Sequence, residues 1–348
     1  MTSRCSLVCA VCPRTHLAGW RDGHLSEAAW RRLEPDLGLA SDVHLQGWGE
    51  PLLDPGLRAR VRAVHRAGCS VGFTTNGIAL EAAREWIVTE QVDRVAVSVA
   101  TGGGRDAGPG GRAAAREAFQ GIAALARERR RGRPRLLVGV LLTRDPAGLA
   151  DLVLEAGRAG VDEVYVTHVD CTPTPALLAR TAFAGGALRP GLAEALREAQ
   201  RAARLARVRF RTPALHADDL LVCALDPRRF AFVSWDGRVG PCVNLLLPLD
   251  GLIPRCTAAG TSRVAPATWG SLPQHSLAEI LAGEARRGFV APFGRRIEAE
   301  RRFLDAVGTG WGSEALADLE RADFVRVGAL DDAPFPAACR GCHKAQGW

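Results

Sequence analysis

No run of apolar residues in this chain approaches the roughly 20 needed to cross a bilayer, and no basic segment followed by an apolar stretch opens it. Membrane and secreted classes are therefore disfavoured, and a cytoplasmic location is expected. Lysine is nearly absent: Lys344 stands alone, so the net charge of +7 is carried by arginine in a chain rich in alanine, glycine and leucine. That imbalance reads as compositional bias. The densest basic run, Arg127 to Arg135 (RERRRGRPR), lacks the interleaved aromatics of a nucleic-acid platform. It reads as a solvated loop, and no nucleic-acid partner is expected. Internal repeats of roughly 20 to 50 residues are missing, and the glycine-rich stretch near residues 102 to 111 (GGGRDAGPGG) reads as a loop.

At 348 residues the chain is long enough for one large and one smaller domain. Short apolar runs alternate with amphipathic stretches: strands at Val43 to Gly49, Cys69 to Gly77, Val92 to Ala100, Arg135 to Thr143 and Asp162 to Val169, with helical patterns between them. This repeated βα texture predicts a parallel sheet closed or partly closed as a barrel, with functional residues at the strands' C-terminal ends. Beyond Val169 the texture becomes turn-rich. A helix is expected around Leu192 to Ala206, a short strand at Val208 to Pro213, and a domain boundary near Pro213. Phe230 to Cys242 (FAFVSWDGRVGPC) reads as a hairpin turning at Asp236-Gly237, a pair that matches strand twist.

The chain has ten cysteines, and in a reducing compartment clustered spacings read as metal ligands rather than disulfides. Cys5, Cys9 and Cys12 in CSLVCAVC crowd the start. An iron-sulfur cube takes four thiolates, so a tight loop supplying three leaves one iron able to chelate the amine and carboxylate of a small molecule. A zinc knuckle is the alternative for such a loop.

The spacing resembles the signature of the radical S-adenosylmethionine (radical SAM) family, and ordered features downstream extend the resemblance. Gly47 to Pro51 (GWGEP) resembles the family's glycine-glycine-glutamate motif, with Trp48 in place of its first glycine; Gly49, Glu50 and Pro51 are thereby implied at the SAM amino group. Thr74 to Gly77 (TTNG) resembles the next strand-end motif, implicating Thr75 and Asn76. Ser98 resembles the serine on the fourth strand that helps hold the SAM carboxylate or ribose, while Ala100 stands where many relatives carry an aspartate. Each of these turns, taken singly, is ordinary loop sequence. Val11, Leu141, Leu142 and Val164 to Val166 could flank adenine, but apolar strand residues are usually core.

The resemblance implies an α/β fold: a partial (βα)6 barrel over residues 1–212, with Asp162 to Val169 as its sixth strand. Only Met1 to Arg4 precede Cys5, so either the first strand is missing, exposing a barrel edge, or the start is late. Residues 213–348 resemble the SPASM and twitch domains that append auxiliary clusters to such barrels. Cys223 is followed by thirteen residues, Gly237, four residues and Cys242, and the pair Cys339 and Cys342 closes the set. Trp269 to Leu281 resembles the turn-to-helix segment between them. Four cysteines suit one auxiliary 4Fe-4S cluster, in the shorter twitch layout, with zinc as the alternative.

Cys256 lies in an insertion with no spacing that makes it a ligand. His343 is expected only to pack or hydrogen-bond beside Cys342, and Cys69 to be a buried small hydrophobe. Cys171, following a strand at the barrel mouth, is a candidate for meeting substrate.

What the resemblance implies is reductive cleavage of SAM to a 5'-deoxyadenosyl radical that abstracts hydrogen from a peptide, protein or small-molecule substrate, with electrons from a ferredoxin or flavodoxin. An aminocyclitol dehydrogenase and a metal-cofactor maturase are the other expectations within the family. The absence of a segment before the cluster loop argues against ordinary leader-guided peptide maturation, unless another chain supplies the recognition. A non-catalytic iron-sulfur or zinc-binding module is the alternative of another class, and it would need neither Glu50 nor Ser98.

Overall fold

Each predicted βα unit forms, and together they build one open sheet. The computed structural model describes residues 1–101, 111–169, 171–184, 187–218, 220–307 and 330–348, so the glycine-rich loop predicted at 102 to 111 lies almost wholly outside the described residues. Six strands, β1 (Asp42–His44), β2 (Ser70–Thr75), β3 (Arg94–Ala100), β4 (Arg135–Leu142), β5 (Glu163–His168) and β6 (Arg209–Arg211), pair in parallel in chain order. Helices α1 (Leu57–Arg66), α2 (Leu80–Thr89), α3 (Gly111–Glu128), α4 (Leu149–Arg158) and α5 (Leu192–Ala206) make the crossovers. Spatial order equal to chain order is what a curled, singly wound sheet requires, and the strand ends then face one common mouth.

Alternation along the strands decides which face is which. Val95, Val97, Leu136, Val138, Val140, Leu142, Val164 and Val166 share one buried core with Val61, Ile87, Ile122, Leu125, Val153 and Leu196 of the helices. Each such side chain contributes about 1.5–3 kcal/mol on burial, so a one-residue slip in any strand would cost more than any local preference could restore. The opposite face lines the curl. Ser98, Gly139 and Tyr165 lie side by side in register there. A Cβ on Gly139 would stand 2.6 Å from the Tyr165 hydroxyl, so only glycine leaves room for that ring.

Asp162 to Val169, expected as the family's sixth strand, is the fifth of this sheet and Ser98 lies on the third, which is the count the missing-first-strand alternative gives; Arg209–Arg211 takes the last place. Residues 1–4 make no ladder with β1. They run past its C-terminal end, where Gly49 N donates to Thr2 O at 3.0 Å and Glu50 N to Arg4 O at 2.7 Å, while Ser3 N donates to Gly23 O at 3.0 Å. Backbone partners on both sides bury Thr2 and Ser3, so this segment covers the loop after β1 rather than leaving it bare.

Beyond β6 the predicted hairpin forms from β7 (Phe232–Val233) and β8 (Arg238–Gly240), which pair antiparallel across Asp236-Gly237. A second hairpin joins β9 (Ile253–Thr257) to β10 (Gly260–Val264), and β11 (Gly270–Ser271) adds to β8. Helix α6 (Leu277–Ala282) follows, started by a capping box between Ser276 and Glu279. The long helix α7 (Glu284–Val307) packs Phe289 and Phe293 against Trp269 and Phe335.

The basic run between α3 and β4 is a loop whose arginines meet carboxylates: Arg133 pairs with Asp93 at 2.9 Å, Arg129 with Asp162 and Arg135 with Glu163. Those pairs neutralise much of what a polyanion would bind. Among the described residues no helix is long and apolar enough to cross a membrane, and no disulfide joins any cysteine.

Candidate functional site

The ends of β2, β3, β4 and β5 surround a cavity of about 500 Å³, and the cysteine loop forms its roof. Cys5, Cys9 and Cys12, with Gly49, Glu50, Thr75, Asn76 and Ser98, all line it. Pro51 does not. It is buried behind the wall as the first residue of a short 3-10 turn, Pro51–Leu53, where its fixed φ suits a helix start.

The cysteine loop is folded on itself by Cys12 N to Cys9 O and Thr15 N to Cys12 O, both 3.1 Å, and is continued by a short helix, Pro13–His16. Burial pushes the Cys9 thiol up to about 11, with Cys12 and Cys5 adding to the shift, and burial likewise raises Cys12. All three thiols line the cavity.

Glu50 anchors the wall next to the segment leading into Cys5, its N–H donating to Arg4 O at 2.7 Å. Its carboxylate, 3% exposed, accepts from Thr75 Oγ1 at 2.7 Å, Asn76 N at 2.6 Å and Leu52 N at 3.0 Å. Burial raises its pKa despite those three bonds. A carboxylate offers about four acceptor positions, so this one ties the Gly47–Pro51 loop to the end of β2 and retains about one position for a ligand. Glu50→Gln puts a donor amide against the Asn76 N–H or the Thr75 hydroxyl. The expected cost is about 1–3 kcal/mol, read as a lower denaturation midpoint at unchanged slope.

Asn76 continues the connection: its Nδ2 lies 3.8 Å from Cys5 Sγ and 3.4 Å from Ser6 Oγ, while its Oδ1 accepts from Ile78 N at 3.0 Å. Gly77 ends the motif with φ +85°, and a Cβ there would meet Ala118 of α3 at 2.4 Å. The glycines of the GWGEP loop have a different reason. A Cβ on Gly49 would lie 2.2 Å from Arg4 O, and one on Gly47 2.8 Å from Thr2 O, so both serve the close passage of residues 2–4.

Val11, Val99, Ala100, Leu141, Leu152 and Val169 make an apolar stretch of the wall, while Gln46, Thr101, Arg116, Glu155 and His168 add polar and charged groups to it. Val11 packs with Val169 and Leu177, whereas Leu142, Val164 and Val166 belong to the helix-facing core as apolar strand residues usually do. Several lining residues escaped the sequence reading, among them Gln46, Arg116, Glu155, Thr101 and His168. Thr101 bonds Thr143 at 3.1 Å, and His168 Nε2 meets Ala214 O at 2.8 Å, with Phe183 and Trp348 edge-on to its ring. For Thr101 and His168 the position at strand ends was the available signal. Cys171 lines the cavity as anticipated for the barrel mouth.

The remaining cysteines separate cleanly. Cys223, Cys242, Cys339 and Cys342 line one small cavity between β8, the 3-10 turn Val243–Leu245 and the C-terminal segment. Burial pushes Cys242 up to about 12, with Cys342 and Cys223 adding, and burial with the other three thiols raises Cys339. Arg255 offsets part of the Cys339 shift and Lys344 part of the Cys223 shift. Cys256 sits on β9 with its sulfur 3.4 Å from Thr261 Oγ1, apart from the four. Cys69 is buried, donating to Ala40 O at 3.0 Å and Leu37 O at 3.2 Å. His343 Nδ1 lies 3.4 Å from Thr172 Oγ1.

Among the described residues no three His, Cys, Asp or Glu side chains stand in an arrangement that holds a metal ion. What fits iron-sulfur cubes is the donor chemistry: thiols alone, three facing a cavity wide enough for a further ligand and four around another.

No known family's profile matches the chain, and no curated protein matches it in sequence. Solved structures do match. SuiB of Streptococcus suis bound to precursor peptide SuiA aligns at 14% identity and TM-score 0.55, covering 83% of this chain and 64% of that one. Polyhistidine-tagged anSMEcpe with bound AdoMet aligns at 12% identity and TM-score 0.53, covering 84% and 81%. This chain thus spans less than two thirds of the length of SuiB. At such identities the likeness is one of fold.

Proposed function

We propose that the chain is a radical SAM enzyme acting on an apolar side chain of a peptide. The observation that carries this reading is the convergence of the three-cysteine loop, Gly49–Glu50, Thr75–Asn76 and Ser98 on one cavity at the strands' C-terminal ends. Cys5, Cys9 and Cys12 would hold a 4Fe-4S cluster, and Cys223, Cys242, Cys339 and Cys342 a second one, in a twitch-like region beginning near Pro213. When bound, the first cluster supplies the electron that cleaves SAM reductively to methionine and a 5'-deoxyadenosyl radical, the species that takes hydrogen from substrate.

The chain's own residues bind and orient. Glu50, held by Thr75 and Asn76, fixes the backbone of the Gly47–Pro51 loop where the SAM amino group would dock. Ser98, beside Gly139 on the inner face, would take the carboxylate or ribose. The apolar stretch formed by Val99, Ala100, Leu141 and Val169 would limit water beside a reactive intermediate. That same wall favours an apolar group. Hydroxyls of a polyhydroxylated aminocyclitol set against it would go unpaired, at about 1–3 kcal/mol each, whereas those set against Gln46, Thr101, Arg116 or Glu155 would find partners. An aliphatic or aromatic side chain loses nothing by the same burial. The fold shared with a protein bound to a precursor peptide agrees with this preference. Reduction by a ferredoxin or flavodoxin in the cytoplasm completes the proposal.

The test is anaerobic reconstitution with iron and sulfide, followed by SAM and dithionite. About eight irons per chain and 5'-deoxyadenosine are the expected result. Zinc in place of iron, or no deoxyadenosine from fully loaded protein, would overturn it in favour of a binding module.

A further inference from the structure

Trp48 occupies a glycine's place in the GWGEP motif, and the cavity alone gives it no task. Its ring lines the cavity, yet its Nε1 points away and donates to Val243 O at 3.0 Å. Val243 directly follows Cys242. The turn that carries this carbonyl is closed and buried: Leu246 N also donates to it at 3.2 Å, and Leu245, Leu246 and Leu247 are buried. Around Trp48, Trp20 stands edge-on with centroids 6.0 Å apart, and both rings pack with Cys171 against Leu247, Leu249 and Ile253. Trp20 in turn donates to Ser3 O at 3.3 Å.

On its own side Trp48 cannot shift alone. Gly47 and Gly49 press against the backbone of residues 2–4, and Glu50 is clamped to β2. A second bridge runs parallel to the first. Cys256 N donates to Thr172 O and Thr172 Oγ1 to Cys256 O, both 2.7 Å, beside Cys171 of the cavity wall. One residue earlier, the Arg255 guanidinium donates to Ala338 O and Arg340 O, each at 3.0 Å, on either side of Cys339. The cavity wall and the loops bearing the four cysteines are thus joined at two places by backbone-directed hydrogen bonds.

We infer that Trp48 is a positioning residue coupling the two cysteine centres: fixing the Cys242 turn by ligation orders the Gly47–Glu50 loop through the Trp48–Val243 bond and so strengthens SAM binding. The inference rests on the SAM reading of the cavity. Ligation converts a buried but unligated turn into one held at its sulfur, and the bond transmits that restriction to the loop. By linkage, SAM should equally favour loading of the four-cysteine centre.

The test is a double-mutant cycle of SAM dissociation constants, measured anaerobically by equilibrium dialysis without reductant, so that no turnover occurs. Trp48→Phe keeps the ring and removes only the donor; Cys242→Ala removes a ligand, and Cys342→Ser replaces it if that variant does not fold. Each single change is expected to weaken SAM binding about five- to tenfold, the scale of one hydrogen bond, and the double variant to be no weaker than either. Losses that multiply in the double variant, or a Trp48→Phe protein that binds SAM as the parent does, would overturn the coupling. Hydrogen exchange at the Gly49 and Glu50 amides gives a readout independent of SAM. Loading the four-cysteine centre should slow it in the parent and leave it unchanged in Trp48→Phe; equal slowing in both would refute the inference. Slowing in the parent alone, without SAM binding, would sustain the coupling and refute the SAM reading.

Discussion

Cys9→Ala is expected to abolish 5'-deoxyadenosine formation while about four irons per chain remain, those of the second centre. The reason is ligand arithmetic. A cube held by three thiolates retains one open iron, whereas two thiolates neither hold the cube nor define where the vacancy points. Cys9 also sits at the turn that closes the loop, its carbonyl accepting from Cys12 N at 3.1 Å. Alanine keeps that backbone bond, so the change removes a ligand rather than the loop. One other thiol lines the cavity, that of Cys171, and Cys9→Ala/Cys171→Ala is the control for substitution of one ligand by another. Deoxyadenosine at the parent's rate from both variants would end the assignment of the loop as a cluster site. Iron content and product formation must be read together: loss of all iron would point to a general folding failure, which circular dichroism would register.

Gly49→Ala is expected to be strongly destabilising. The added Cβ would stand 2.2 Å from Arg4 O and 2.7 Å from Arg4 N, both backbone atoms with no rotamer to escape into. Relief requires residues 2–4 to move off the loop, which breaks the Gly49 to Thr2 and Glu50 to Arg4 hydrogen bonds. It also shifts the segment leading directly into Cys5. A cost of about 3 kcal/mol or more follows from forced overpacking with loss of bonds, seen as a melting temperature lower by roughly 5–10 °C. Iron uptake at the first centre should fall with it while the second centre loads normally. The same substitution at Gly19, where an added Cβ meets nothing within 4 Å, is a comparison, although its φ of +76° carries its own smaller strain. Gly49→Ala with parental stability and full iron would show that the close passage of residues 2–4 is not maintained in solution.

The parts of this molecule that are legible in its sequence are those written in local patterns. Alternating apolar residues mark β2 to β5, amphipathic runs mark α1 to α5, and the Asp236-Gly237 pair marks its hairpin, because burial periodicity and turn stereochemistry are properties of neighbouring residues. The sequence left open whether a first strand is missing; residues 1–4 are too few to show a period, and that they bond the loop after β1 rather than β1 itself is decided by what lies across from them. Ser98 and Thr75 could be placed at strand ends from sequence, and both line the cavity. Pro51 could not be separated from its neighbours by the motif alone; the 3-10 turn it begins turns it away from the site.

The sequence by itself determined the chemistry on offer: a loop of three thiols, a second set of four far apart in the chain, a carboxylate after a glycine turn, and a βα order that brings strand ends to one mouth. Only the tertiary structure decided what these groups meet. The Glu50 carboxylate is spent largely on Thr75, Asn76 and Leu52, Asn76 reaches Cys5, and Trp48 reaches the residue after Cys242 across 195 positions of chain. Hydrogen bonds of such separation leave no trace in local periodicity, since each partner satisfies its own element's pattern equally well with or without the other. They form because burial on collapse makes every unpaired donor and acceptor costly, and the packing of the whole chain selects which pairs are within reach.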